Sequence, residues 1–301
     1  MSDGEADMKV RVLDESPPLG SLYVKTVLPS LPGAGLLGPP APSGDGHTLP
    51  DLRLELCDSA PDSEHIEAYR EVCDFPLRES LPATYPHLLA FPLHLLLMTE
   101  PGFPFAAMGV VHIANRIEQR RPVGVTEVID LAVWSERLAP HRNGRTVTIV
   151  SEGSVGGEVV WRDETVLLKR GKRSDKQREA SSDLPDEAPQ GPVSWQLPSA
   201  LGRRYAAVSG DRNPIHLYDV TARAFGFRQH IAHGMWTKAH CLAALDNRLP
   251  PSFVAEVAFK KPIALPSSVT FGASVAGDRI DFGVTSPAFG ETHLLGRVTP
   301  L

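Results

Sequence analysis

Apolar and polar positions along the chain group into two blocks that run in the same order. The first block opens with a helical stretch over 65–72. A second, almost wholly apolar one covers 85–98. Strand-like runs follow at 110–117, 125–133, 145–150 and 159–169, with turn signals at His141-Arg142-Asn143-Gly144 and Gly156-Gly157. The second block reads alike. A short helix over 199–208 leads into a polar loop and then a helix over 234–247, where Met235, Ala239, Leu242 and Leu245 share one face. Strands are expected at 253–259, 269–275, 280–285 and 293–298, with Gly277-Asp278 as a hairpin turn.

Helices followed by an antiparallel meander, twice over, point to an α+β fold built from a diverged duplication. Tyr69 can be set beside Tyr205, 87–92 beside 230–234, and 111–117 beside 254–260. On that alignment the first block lacks about seven residues where the second carries Gly-Asp-x-Asn-Pro-x-His. The expected organisation is an N-terminal extension at 1–50, a first unit at 51–170, a charged linker at 171–192 and a second unit at 193–301. The extension holds one short apolar run, 22–28, and a Pro/Gly-rich stretch, 29–50. The linker lies in the polar run 169–191, KRGKRSDKQREASSDLPDEAPQG.

Composition narrows the function. The chain has 301 residues and a formal net charge of −6, which does not favour nucleic acid as a partner. Cys57, Cys73 and Cys241 are scattered, so neither a disulfide framework nor a thiolate zinc site is expected. The polar, acidic start reads as no targeting leader. The greasiest run, 88–98, is interrupted by Pro92 and His94 and is too short to cross a membrane. A cytoplasmic protein without membrane contact is the expectation.

The chemistry concentrates in Ser209-Gly210-Asp211-Arg212-Asn213-Pro214-Ile215-His216 and in His233-Gly234-Met235. Taken alone, G-D-x-N-P is a turn signal. Yet Pro214 stiffens the bend, and Asn213 can bond nearby backbone, so Asp211 and His216 can be aimed at one point. A carboxylate and an imidazole held together can bind a water and move its protons. Gly234 at a helix start would offer unpaired amides to a developing negative charge. His230, His233 and His240 lack metal-ligand spacing, and His233 reads as a structural hydrogen-bonder, so no metal is expected. Lys260-Lys261 could meet a phosphate-bearing tail or simply be solvated. Ser151 lacks a nucleophile-elbow context, and no phosphate-cradling glycine motif occurs, so no cofactor is expected.

These segments resemble the MaoC-like, hydratase-2 family of hotdog enzymes, whose signature is an aromatic followed by S-G-D-x-N-P-x-H, with H-G-M opening the central helix. Every one of those positions is kept, from Tyr205 to His216 and from His233 to Met235. The layout as a whole is similar to actinobacterial double-hotdog 3-hydroxyacyl-thioester dehydratases. The resemblance implies a double hotdog, two antiparallel sheets each wrapped around a central helix. It also implies reversible hydration of a trans-2-enoyl thioester carried by coenzyme A or an acyl carrier protein. Asp211 and His216 would be the dyad, Asn213 would order the loop, and the Gly234 amide would hold the thioester oxygen. The first half, with Tyr69, Cys73 and Asp74 but no N-P-x-H, should not catalyse. Its helix over 88–98 fits a half that accommodates the acyl chain. A hotdog thioesterase and a non-catalytic acyl-thioester-binding subunit are the alternatives. Pairing into a homodimer, and which dyad member protonates C2, stay open.

Overall fold

The computed structural model describes residues 8–27, 48–106, 109–172, 183–287 and 290–301. The Pro/Gly-rich stretch expected over 29–50 lies outside these, except for 48–50, and so does the middle of the charged linker, 173–182. The first half contains β2 (Leu52–Ser59), α2 (Ser63–Cys73), α3 (Tyr85–Met98), β3 (Val110–Gln119), β4 (Ile129–His141), β5 (Gly144–Val155) and β6 (Glu158–Arg170). The second repeats the order as β7 (Val193–Leu197), α4 (Leu201–Ser209), α6 (Gly234–Leu245), β8 (Phe253–Phe259), β9 (Ser267–Ala276), β10 (Arg279–Thr285) and β11 (Thr292–Pro300). It inserts a single 3-10 turn, Pro214–His216, and the short α5 (Asp219–Ala224) before α6. Ahead of both lie β1 (Lys9–Leu13) and α1 (Leu19–Val27).

This is the α+β double hotdog that was expected, with two refinements. The two sheets fuse edge to edge into one of eleven strands, ordered β1-β2-β4-β5-β6-β3-β8-β11-β10-β9-β7. The junction is β3 against β8, antiparallel from Ala114 opposite Ala258 to Gln119 opposite Phe253. One pair, β1 with β2, is parallel. Helices α3 and α6 contribute to one apolar core with the sheet strands, and it runs through both halves.

Strand β2 shows why these residues form this sheet. Leu52, Leu54 and Leu56 are buried while Arg53 and Glu55 between them are not, the two-residue period of a half-buried strand. Helix α3 is buried along most of its circumference, and its first turn accepts Pro86, whose missing N–H would have had no helical partner. Strand β4 corrects the expectation at 125–133. It starts at Ile129 and runs to His141, bulging at Arg137, whose φ is 52°. The expected turns at 142–143, 156–157 and 277–278 all join strands as read.

The internal alignment also shifts. Eleven residues (74–84) separate α2 from α3, against 24 (210–233) between α4 and α6. The extra segment is therefore longer than about seven residues, because α3 begins at Tyr85 and not near Phe91. Tyr69 and Tyr205 do correspond, with ring centroids 6.3 Å apart. His65 ties the halves together: Nδ1 bonds the Tyr85 hydroxyl at 2.7 Å, and Nε2 meets the Val208 carbonyl, also at 2.7 Å.

Candidate active site

Local hydrogen bonds turn the loop after α4, and longer-range ones hold it in place. Gly210 caps the helix in the left-handed region, φ 72°, where a side chain would be strained. The Asp211 amide donates to Ser209 Oγ at 3.1 Å. Asp211 Oδ1 accepts the Asn213 amide at 3.0 Å, and Asn213 Oδ1 accepts the Ile215 amide at 3.4 Å. Two successive side-chain-to-backbone turns thus fold the chain into the 3-10 turn that Pro214 opens. Gly202 of α4 makes room for it, since a Cβ there would lie 2.0 Å from the His216 carbonyl oxygen.

The His216 ring is held by Nδ1, which donates to the Ile231 carbonyl at 2.8 Å. In the neutral ring Nε2 is then the proton acceptor. His233 stacks on it with centroids 3.7 Å apart, donates from Nε2 to the Asp211 carbonyl at 2.9 Å, and lies 3.8 Å from Asp211 Oδ2. One ligand-type atom from each of Asp211, His216 and His233 falls within 4.8 Å of the others. Among the described residues no direct hydrogen bond joins the Asp211 carboxylate to His216, although the two present ligand-type atoms within 4.8 Å of each other.

Burial works against the charge on Asp211, but His233, His216, the Asn213 amide and the Tyr23 hydroxyl outweigh it and hold its carboxyl below the ordinary range. Burial lowers His216 below its ordinary value, with Asp211 opposing. Burial and the neighbouring His216 push His233 down to about 3, so it stays neutral. The resting state is one carboxylate beside neutral imidazoles.

These groups line a cavity of about 1090 Å³ between the halves. Ser209, Asp211, Asn213, His216, His233 and Gly234 are all in its wall, while Gly210 and Pro214 frame the loop behind it. Gly234 opens α6 with His233 at the N-cap, so its amide has no partner within the helix. The Phe259 ring lies 3.0–3.2 Å from where a Cβ of residue 234 would be. Lys260, Lys261, Arg142 and Arg170 also line the cavity, and Lys261 is 3.4 Å from Glu291. His230 and His240 do not join this site. His230 bonds Asp219 at 2.5 Å and the Ser199 carbonyl at 2.9 Å, and His240 packs between Trp195 and Trp236. Ser151 is buried against His94 Nε2 at 2.6 Å.

The sequence reading missed Tyr23. Its hydroxyl accepts the Arg212 amide at 2.7 Å, donates to the Gly210 carbonyl at 3.0 Å, and lies 3.4 Å from Asp211 Oδ1. It lines the cavity from α1, which precedes both repeats. A second cluster was also missed. His87 Nδ1 donates to Asp163 Oδ2 at 2.8 Å, Thr165 Oγ1 donates to the same oxygen at 3.1 Å, and Asn115 bonds the other. The wholly buried Lys238 of α6 bonds Asn115 and the Ala255 carbonyl, and burial pushes its ammonium down to about 7. His87, His94 and Asp163 also bring ligand-type atoms within 4.8 Å of one another.

Residues 180–290 match the model of the MaoC like domain. The 3-hydroxyacyl-thioester dehydratase X of Mycobacterium tuberculosis is 36% identical over 260 residues, 84% of this chain and 91% of that protein. A crystal structure of HtdX from the same organism superposes with a TM-score of 0.74 at 34% identity, covering 83% of this chain and all of that one. The (R)-specific enoyl-CoA hydratase of Rhodospirillum rubrum is 30% identical over 104 residues, 32% of this chain and 72% of that protein.

Proposed function

The chain belongs to the MaoC-like dehydratase family, and on that premise we propose that it is a hydro-lyase interconverting trans-2-enoyl and (3R)-3-hydroxyacyl thioesters. The observation that carries this is the Asp211–His216 pair, with ligand-type atoms within 4.8 Å of each other in the wall of one cavity that Gly234 also lines. In hydration, both groups accept from a water that attacks C3. The water's proton passes to the dyad, a proton passes from the dyad to C2, and the pair ends as it began. Charge building on the thioester oxygen rests on the Gly234 amide and the positive end of α6. Ser209, Asn213 and the Gly210–Pro214 frame set the angle of Asp211, while His233 anchors its backbone.

Basic residues in the cavity wall, Lys260, Lys261, Arg142 and Arg170, suit a phosphate-bearing carrier, coenzyme A or acyl carrier protein. The 1–50 segment, the two hotdogs and the linker at 171–192 are read as an extension, a substrate-cradling half, a connector and a reacting half. Among the described residues no helix is long and apolar enough to cross a membrane, and a cytoplasmic location is proposed with a homodimer as the assembly to test by mass in solution. The deciding assay is crotonyl-CoA with the purified chain. Loss of the enoyl absorbance without release of free thiol supports hydration. Thiol release would show a thioesterase, and binding with neither change would show a non-catalytic subunit.

A further inference from the structure

The cavity wall opposite the dyad is not uniformly greasy. His87, Phe91, His94, Leu95 and Met98 of α3 line it, and their spacing places them on one helical face. His112 of β3 and Thr165 of β6 line it too. Four hydrogen-bonding side chains therefore stand along the path that an acyl chain would follow into the first half.

They are fixed from behind. Asp163 holds His87 by Nδ1 and accepts from Thr165, and Ser151 holds His94 by Nε2. Burial opposes the charge on Asp163, but His87, His94 and Lys238 pull its carboxyl down to about 2. An ionised carboxylate only accepts, so His87 must donate from Nδ1, which leaves its Nε2 turned away from Asp163. His112 Nε2 is buried with no hydrogen-bond partner among the described residues, while its ring meets Phe259 edge-on at 4.9 Å. Burial keeps His94 and His112 neutral, each pushed to about 3.

A plain alkyl chain threaded past these side chains would return no hydrogen bond to the polar groups it covers and would leave His112 Nε2 unpaired. A hydroxyl both donates and accepts, and can answer His87 Nε2 and His112 Nε2 in any tautomer. We propose that His87, His94, His112 and Thr165 form a polar subsite selecting acyl thioesters that carry a hydroxyl on the chain beyond C3. The inference deepens the hydratase reading and rests on the same cavity.

Binding tests it without relying on turnover. Saturated eight-carbon acyl-CoAs, plain or with one hydroxyl walked from C5 to C8, are titrated into the full chain by calorimetry. At least one hydroxyl position is expected to bind about tenfold tighter than the plain chain. The C5-to-C8 oxo series should gain less. His112→Phe and His94→Leu should each bring the preferred hydroxyl probe back towards the plain one. Two variants are used so that one poorly folding protein does not decide the result. A plain chain binding as well as every hydroxylated one overturns the subsite, even if crotonyl-CoA is hydrated. An intact preference in both folded variants overturns the residue assignment. Failure to hydrate crotonyl-CoA, by contrast, touches only the reading in the preceding section.

Discussion

One step past the left-handed residue that ends its short helix, the second half carries Asp211. At the same step past Asp74, φ 65°, the first half carries Phe75. The first half does own imidazoles at the shared cavity and a carboxylate behind them, but it uses them differently. Asp163 is wholly buried and takes hydrogen bonds from His87, Thr165 and Asn115. Asp211 keeps its side chain 29% exposed and, among the described residues, makes no direct hydrogen bond to His216 though it lies beside it. The contrast teaches that type and proximity do not make a proton-transfer pair. A carboxylate saturated with donors is a structural anchor, whereas one with an open lone pair facing an imidazole acceptor can handle a water.

Exchanging the acids should break this comparison most visibly. Asp211→Asn or His216→Asn should lower kcat for crotonyl-CoA by about 10²–10⁴-fold with the melting temperature nearly unchanged. Asp163→Asn should do the reverse. It removes one partner from a buried charged network that includes Lys238, a loss of about 3–5 kcal/mol read by denaturant unfolding. If Asp163→Asn cost activity in a fully stable protein, the anchor reading would fall.

A backbone test comes next in size. Gly202→Ala puts a methyl 2.0 Å from the His216 carbonyl, and neither backbone can yield cheaply. The 3-10 turn must move, so kcat should fall at least tenfold along with about 1–3 kcal/mol of stability. A methyl at Gly156, where nothing lies within 4 Å, is the control for space, although its positive φ adds strain.

Legibility followed the range of the interactions. The Asp211-to-His216 loop was readable because the bonds that turn it span two or three residues, even though others far off in sequence hold it in place. Helix α3 and strand β8 were placed to the residue, since a long, mostly apolar run and a short run rich in Val and Phe leave little choice. Strands β1, β2 and β7 were missed, although β2 alternates Leu with charge; five to eight residues of mixed polarity were outweighed by the longer signals nearby. Tyr23 could not be found that way. It sits 188 residues from Asp211, and only the packing of α1 over Gly210 brings them together. The first-half cluster was invisible for a like reason, being assembled from α3, β3, β6 and α6.

Removing that long-range contact sharpens the comparison further. Tyr23→Phe keeps the ring and deletes the hydroxyl that bridges the Arg212 amide and the Gly210 carbonyl. The loss of about 1–1.5 kcal/mol of hydrogen bonding should appear as roughly a tenfold fall in kcat with KM changed little, since the loop, not the carrier contacts, is loosened. A Tyr23→Phe enzyme as fast as the parent would show that the local turns suffice.

The smallest effect expected is a displacement of the acid limb of kcat/KM. His216 must be neutral for Nε2 to take a proton, so activity falls as pH drops through its pKa. Burial depresses that pKa and the Asp211 charge pushes back, which places the limb below 6.5 but above where burial alone would set it. Asp211→Asn deletes the opposing charge, so the residual activity of that variant should keep its plateau to lower pH than the parent's. Asp163→Asn, acting on the other half, should leave the limb where it was. Asp163 opposes protonation loss at His94 and His112, not at His216. A limb that moved with Asp163 and stood still with Asp211 would mean that the proton-accepting pair belongs to the first half.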